Sequence, residues 1–301
     1  MGTAWPLCID PPPPRKLAAP PTIRAASPLR IPGHGLIRST FRLTPGVGPW
    51  LEAKLWVAGV RSWEDFPPPP AVALSARTDA RLREAISAAR AALARGDADA
   101  LAAMLPRNER WRLYAAFARD AAFLDIETDG EAVTAIGVLD RRGPRVFLAG
   151  RDLHDFPAAT SDWKLLVTFN GLSFDVPILR AAFPGWRPPL AHVDLRHLWG
   201  RLGHRGGLKL LEKETGVGRS PGVDGVDGRD AIRLWRLHLR GDATALRTLV
   251  EYNLHDAVNL RTLMDMGYNR MIDRLRLPAS PVPVSERGDH RYDMTKLLLA
   301  L

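Results

Sequence analysis

Four acidic side chains in three separated segments define the chemistry open to this sequence. They are Asp125 and Glu127 in Asp125-Ile126-Glu127, Asp175 at the end of Asn170-Gly171-Leu172-Ser173-Phe174-Asp175, and Asp256, four residues after Tyr252. Each lies among apolar residues that should fix it on a rigid element. Carboxylates brought together repel unless cations lie between them. A set of carboxylate oxygens favours hard cations such as magnesium or manganese over zinc. The chemistry such a site supports is metal-assisted hydrolysis of a nucleic-acid phosphodiester.

The elements carrying these residues follow from local pattern. On a strand over 122–126, Asp125 and Glu127 project from one face while Leu124 and Ile126 meet the opposite layer. Asp-x-Glu alone recurs by chance, and a solvated strand end is its competing reading. Asp129, next to Gly130, is explained by hairpin-turn chemistry. A buried strand over 165–169 leads to Asn170-Gly171, and Phe174 is expected to anchor the turn that delivers Asp175 to a helix starting near Val176, with Pro177 tolerated in its first turn. For Asp175, metal ligand and plain N-cap both stand, and Asn170 has a turn role as its alternative. Tyr252 and Asp256 share one face of a long helix over 243–266, beside a stripe of Leu246, Leu249, Val250, Ala257, Leu260 and Met264. A partly buried tyrosine and a surface acid would show the same spacing. His255 points elsewhere on that helix, as a solvated or packing residue.

Around the three segments, strands at 122–126, 132–139 and 145–148, separated by Asp129-Gly130 and Arg142-Gly143-Pro144, predict an antiparallel three-strand meander. A short strand at 192–195 and a helix at 208–214 follow. Residues 216–228 are glycine-rich but lack a phosphate-loop lysine, and are expected to form a mobile loop. Upstream, alanine and leucine recur at helical spacing over 78–105 with a restart at Asp97, and one helix is expected over 107–118, packing through Trp111, Leu113, Tyr114 and Phe117. The segment Pro45-Gly46-Val47-Gly48-Pro49-Trp50 resembles half of a helix-hairpin-helix. Two readings stand there: free N–H groups facing a phosphate, or Leu51, Leu55 and Val60 packing a small helical unit while the glycines make the turn. The expected division is a disordered proline-rich tail over 1–37, a helical region over 38–118, an α/β domain over 119–270 and a C-terminal tail over 271–301.

The chain has 301 residues and a net charge of +9, a balance that favours polyanionic partners without proving one. The single cysteine, Cys8, excludes an intrachain disulfide and a cysteine-rich zinc site, and fits a reducing cytoplasm. No apolar run reaches the roughly 18 residues needed to span a bilayer, so no membrane partner is expected.

The order Asp-x-Glu, Asn-x-x-x-Phe-Asp and Tyr-x-x-x-Asp resembles the three motifs of the DEDDy branch of DnaQ-like 3'-to-5' exonucleases. Phe123 to Thr128, Phe169-Asn170-Gly171 running to Asp175-Val176-Pro177, and Tyr252 to Asp256 look most like the YprB-type ribonuclease-H-like domain. His192-Val193-Asp194-Leu195, Gly207-Leu208-Lys209 and Leu234-Trp235 are further points of similarity, and the resemblance spans about 41–266. It implies a ribonuclease-H-like mixed sheet, a meander plus parallel strands flanked by helices, with an N-terminal helical region. It implies two Mg2+ or Mn2+ ions, with Asp125 bridging, Glu127 and Asp256 on the first, and Asp175 holding the second. Tyr252 would orient the attacking water, and Thr128, Asn170 and Phe174 would contact nucleic acid. The histidine-using branch needs its histidine five positions before the last aspartate, where this chain has Glu251. The implied partner is a nucleic acid with a free 3' end, with no small-molecule cofactor. A non-catalytic nucleic-acid-binding protein and a structure-specific endonuclease on the same fold are the alternatives. Lys209, Arg205 and His204 are either phosphate contacts or a solvated basic loop.

Overall fold

Ala121–Thr128 forms β1, the central strand of a five-stranded mixed sheet in the computed structural model, which describes residues 35–70, 72–218, 225 and 228–285. The alternation expected of a strand divides β1 cleanly. Ala122, Leu124 and Ile126 enter one apolar cluster while Phe123 enters the cluster on the other face. Val133–Asp140 (β2) and Gly143–Leu148 (β3) complete the antiparallel meander, and Leu165–Thr168 (β4) and His192–Asp194 (β5) add two parallel strands, giving the order β3-β2-β1-β4-β5. Asp125 pairs with Gly137 across β1 and β2, and a register irregularity falls between Glu127 and Thr128. The expected mixed sheet is therefore present.

Ten helices surround it among the described residues: α1 (Pro49–Val57), α2 (Ala76–Ala94), α3 (Ala98–Met104), α4 (Tyr114–Phe117), α5 (Phe156–Ala159), α6 (Asp175–Ala182), α7 (Leu195–Arg201), α8 (Leu208–Thr215), α9 (Gly228–His238) and α10 (Ala243–Leu275). The last runs for 33 residues and packs on β1 and β2. Its start is set by Asp242, whose side chain accepts from the Ala245 N–H at 3.0 Å, a cap worth about 1 kcal/mol. It continues nine residues past the end expected at Met266. Gly267 looks like a stop in sequence, but here it is a contact. A Cβ at that position would lie 2.9 Å from Leu198 and 3.0 Å from Trp199 on α7, so the glycine lets two helices approach while Tyr268 and Met271 bury behind it.

Three further expectations are revised. The segment 107–118 is not one α-helix; it winds as a 3-10 turn over Arg107–Leu113, then α4, then a 3-10 turn over Ala118–Asp120. Trp111, Arg112, Leu113 and Tyr114 are all buried in this segment. Leu36 and Ile37 are fully buried, so ordered packing begins inside the expected tail; residues 1–34 lie outside the described residues. Most of the expected loop at 216–228 also lies outside them, and Gly228 opens α9, a helix the sequence pattern did not place. In the N-terminal unit Leu55 and Val60 are buried, Leu51 packs partly buried against the same core, and Glu52 of α1 turns inward to Arg112.

Candidate metal and nucleic-acid site

Asp125, Glu127 and Asp256 come together, each offering a carboxylate oxygen, with these atoms all within 4.8 Å of one another. The convergence follows from the fold. Asp125 and Glu127 occupy the face of β1 that carries Phe123, and α10 crosses that face, bringing Asp256 against them. Glu127 and Asp256 are 8% and 5% exposed. Three oxygen donors at this spacing suit a hard divalent cation, so the residues fit such an ion.

Asp175 is the first residue of α6 and is itself buried. Burial raises its pKa to about 7; neighbouring Asp194 and Asp256 add to the rise, while its own N–H and the Ile126 N–H oppose it. Ile126 sits between Asp125 and Glu127, so Asp175 borders the same cluster from the α6 side. The assigned N-cap of α6 is Phe174, with no side-chain cap, rather than Asp175.

The loop before α6 is held differently from the expectation. Phe174 is 44% exposed and anchors nothing through burial. The fastening comes from Asp194 at the end of β5, whose carboxylate accepts from the N–H groups of Asn170 (2.8 Å), Leu172 (3.0 Å) and Arg196 (3.0 Å). Asn170 adopts φ 66°, and its Oδ1 accepts from Arg196 at 2.8 Å. Any side chain at Gly171 would collide with Thr168, whose Oγ1 meets His192 Nε2 at 2.8 Å. Burial pushes His192 down to about 4, so this ring is neutral at pH 7.

Tyr252 is buried on α10 against Ala231 and Trp235 of α9, and Lys209 Nζ lies 5.1 Å from its ring centroid. Asp256 lies one turn further along the same helix face. His255 is 1% exposed, which settles it as a packed residue. Of the basic trio beside α8, His204 is engaged with Glu214 at 2.7 Å, Arg205 is exposed, and Lys209 is the one standing over Tyr252. Thr128 ends β1 at the irregular register, half-buried.

Two contributors had no role in the sequence reading. Asn253, fully buried on α10, donates through Nδ2 to Asp125 Oδ2 at 2.9 Å and to the Asp125 carbonyl at 3.2 Å. It can do so because its neighbour is Gly137, the cross-strand partner of Asp125: a Cβ there would collide with Asn253 Oδ1 and sit 2.9 Å from its carbonyl oxygen. A glycine in the middle of the fully buried strand β2 was the available signal of close backbone approach. Asp194, the last residue of a short strand, was visible only as part of a motif.

Residues 122–268 match the model of the RNase_H superfamily. No match was found among curated proteins. Among solved structures the chain is similar to the family B DNA polymerase from the hyperthermophilic archaeon Pyrobaculum calidifontis, at 20% identity over 55% of this chain and 26% of that chain, with a TM-score of 0.38. No helix among the described residues is long and apolar enough to cross a membrane. The mixed five-stranded sheet and the match over residues 122–268 agree on a ribonuclease-H-like fold for this part of the chain.

Proposed function

We propose that this protein is a metal-dependent 3'-to-5' exonuclease acting on single-stranded nucleic acid, of the DEDDy type and similar to YprB-type domains, working in the cytoplasm. The observation that carries the reading is the grouping of Asp125, Glu127 and Asp256 within 4.8 Å, with Asp175 bordering it. In this reading Asp125, Glu127, Asp175 and Asp256 hold two magnesium or manganese ions. Bound there, such ions supply positive charge against the charge developing on phosphorus and favour ionisation of the attacking water.

The chain's own residues do the rest. Tyr252, held by Trp235 and Ala231, presents its hydroxyl to orient the attacking water. Exposed Phe174 offers a face on which a terminal base can stack, a contact indifferent to base identity. Asn170, in the loop before α6, and Thr128, the last residue of β1, contact the terminal nucleotide. The decisive experiment follows mononucleotide release from a 3'-labelled single strand with magnesium or manganese, beside Asp125→Ala. Release by the wild type alone supports the proposal. Equal release by both proteins removes the carboxylates from the chemistry, and cleavage of a circular strand at the same rate removes the requirement for a 3' end.

A further inference from the structure

Helix α9 carries two faces with different fates. Ala231 and Trp235 are buried against Leu249 and Tyr252 of α10, so its apolar side is already used within the fold. On the other side Arg229, Arg233 and Arg236 recur at four- and three-residue spacing, and Arg240 extends the series just past the helix. At about 100° per residue these four positions form one stripe, directly opposite the buried face and spanning roughly 16 Å. All four arginines are exposed. Between 228 and 240 the only acidic residue is Asp230. Arg233, Arg236 and Arg240 form no hydrogen bond or ion pair with another described residue through their side chains.

This arrangement differs from an ordinary solvated helix face, where acids and bases interleave and pair, as Arg83 and Asp79 do on α2 at 2.7 Å. Here one sign of charge repeats along a line. The guanidinium fork suits phosphate oxygens, and the repeat suits a ligand whose charges also repeat. The apolar face of α9 is occupied by α10, so the helix presents mainly charge outward, with Leu239 the exposed apolar residue just past its end. The stripe is also fixed relative to the carboxylates: Trp235 packs on Tyr252, one turn from Asp256, and α9 lies beside β1. The carboxyl of Asp129, at the turn after β1, is held low chiefly by the N–H groups of Ala132 and Glu131, with Arg236 adding a smaller pull.

We propose that the outer face of α9 is an exosite for the sugar-phosphate backbone of a nucleic-acid strand, holding the part of the strand away from the end being cut. The proposal rests on the exonuclease reading and deepens it. Binding through phosphates would be independent of base sequence, steeply salt-dependent, and available only to substrates long enough to reach past the carboxylate cluster.

The test uses the full chain, the variants Arg233→Ala/Arg236→Ala/Arg240→Ala and Arg233→Lys/Arg236→Lys/Arg240→Lys, and two probes. The first is a fluorescein-labelled single strand of about 20 nucleotides, longer than the site of a typical single-strand-binding module, titrated in EDTA between about 50 and 200 mM salt. The alanine triple is expected to weaken binding by tenfold or more and to reduce the slope of log K against log salt by about 2, roughly 0.7 for each phosphate that an arginine no longer neutralises. The lysine triple, which keeps the charge, is expected to retain that slope, showing that the helix still folds. The second probe is the nitrophenyl ester of thymidine 5'-phosphate with manganese, too short to reach α9, whose hydrolysis should stay within about twofold of wild type. An unchanged affinity and slope in the alanine triple would overturn the exosite. So would wild-type protein that binds no oligonucleotide, or equal loss on both probes. Binding in EDTA needs no hydrolysis, so an inactive wild type with an intact arginine effect would sink the exonuclease reading and leave α9 as a nucleic-acid surface.

Discussion

Two groups of buried carboxylates in this molecule are treated in opposite ways. In the N-terminal helical unit, Glu52 and Glu109 are each 1% exposed, and guanidinium groups meet them: Arg112 at 2.8 and 2.6 Å, Arg42 at 2.7 Å and Arg201 at 3.2 Å. Burial still pushes Glu52 up, but Arg112 pulls against it. At the candidate site burial raises Asp175, its charged neighbours Asp194 and Asp256 raise it further, and only the N–H groups of Asp175 and Ile126 pull the other way. The first arrangement is complete without a ligand. The second gathers like charges, which is stable only when protons or cations neutralise them. The contrast separates a structural ion-pair network from a site built to receive something.

The largest effect that would test the contrast is at the site itself. Replacing Asp125 by alanine should lower metal-dependent hydrolysis on the order of 10³-fold, as measured on a 3'-labelled strand, because it removes a ligand positioned for charge stabilisation. The same change should leave the thermal midpoint without metal nearly intact or raise it, since it relieves repulsion. The opposite pattern is expected in the N-terminal unit. Arg112→Ala leaves Glu52 and Glu109 buried without their shared cation and should cost about 3–5 kcal/mol in denaturant unfolding. Replacing all three by apolar residues of similar volume should recover most of that loss, as expected of a network whose role is structural. A large stability loss in Asp125→Ala would erase the distinction.

Asn253 refines the comparison, since it serves the site without carrying charge. Its amide fixes one oxygen of Asp125, and its Oδ1 is buried without a hydrogen-bond partner among the described residues. A buried acceptor left unsatisfied costs about 1–3 kcal/mol, so the stabilising choice at this position would have been apolar. Asn253→Leu should weaken manganese binding by about 10–100-fold, as loss of an outer hydrogen bond to a ligand does. Metal-induced shifts in thermal midpoint would measure it, with little loss of stability in EDTA. Gly137→Ala should act in the same direction by pushing α10 away from β1. If both variants bound manganese as wild type does, the hydrogen bond would be incidental.

Much of this was legible in sequence because the signals are local. The alternation of Phe123, Leu124, Asp125, Ile126 and Glu127 dictates which side chains meet α10, and the spacing of Tyr252 and Asp256 places them on one helix face. What stayed hidden depends on contacts between distant segments. Gly267 reads as a helix end until Trp199 is seen to occupy the space that a Cβ would fill. Asp194 reads as a strand-end acid until the N–H groups of Asn170 and Leu172 converge on it. Helix α9 begins among glycines, so its amphipathic pattern was masked at the start, and its arginine stripe acquires meaning only once Trp235 is placed against Tyr252. The 107–118 segment reads as one helix from its apolar spacing, which does not distinguish α from 3-10 winding.

The smallest of the expected effects concerns pH. Asp175 has an ordinary carboxyl pKa near 3.8 when unfolded and about 7 in the folded protein without metal. Between those values the folded state holds a proton that the unfolded chain has released, so its contribution to the slope of stability with pH is negative. The stability this proton confers is fully present below about pH 4 and is lost as pH rises to about 7. A divalent cation needs the same carboxylate deprotonated, so its affinity should change the other way, rising about tenfold per pH unit up to about 7 and then levelling off. His192, held near 4 in the fold against an ordinary value of 6.5, contributes the opposite slope up to about pH 6.5. From pH 5 to 8 the metal-free thermal midpoint should therefore stay level at first and fall only as pH approaches about 7, while the metal-induced gain with manganese grows throughout. Asp175→Asn should turn the metal-free curve upward below about pH 6.5, because the opposing His192 slope then acts alone. Curves that ran parallel would mean that Asp175 does not share its charge with a bound ion, and that the site and the N-terminal network differ less than their neighbours suggest.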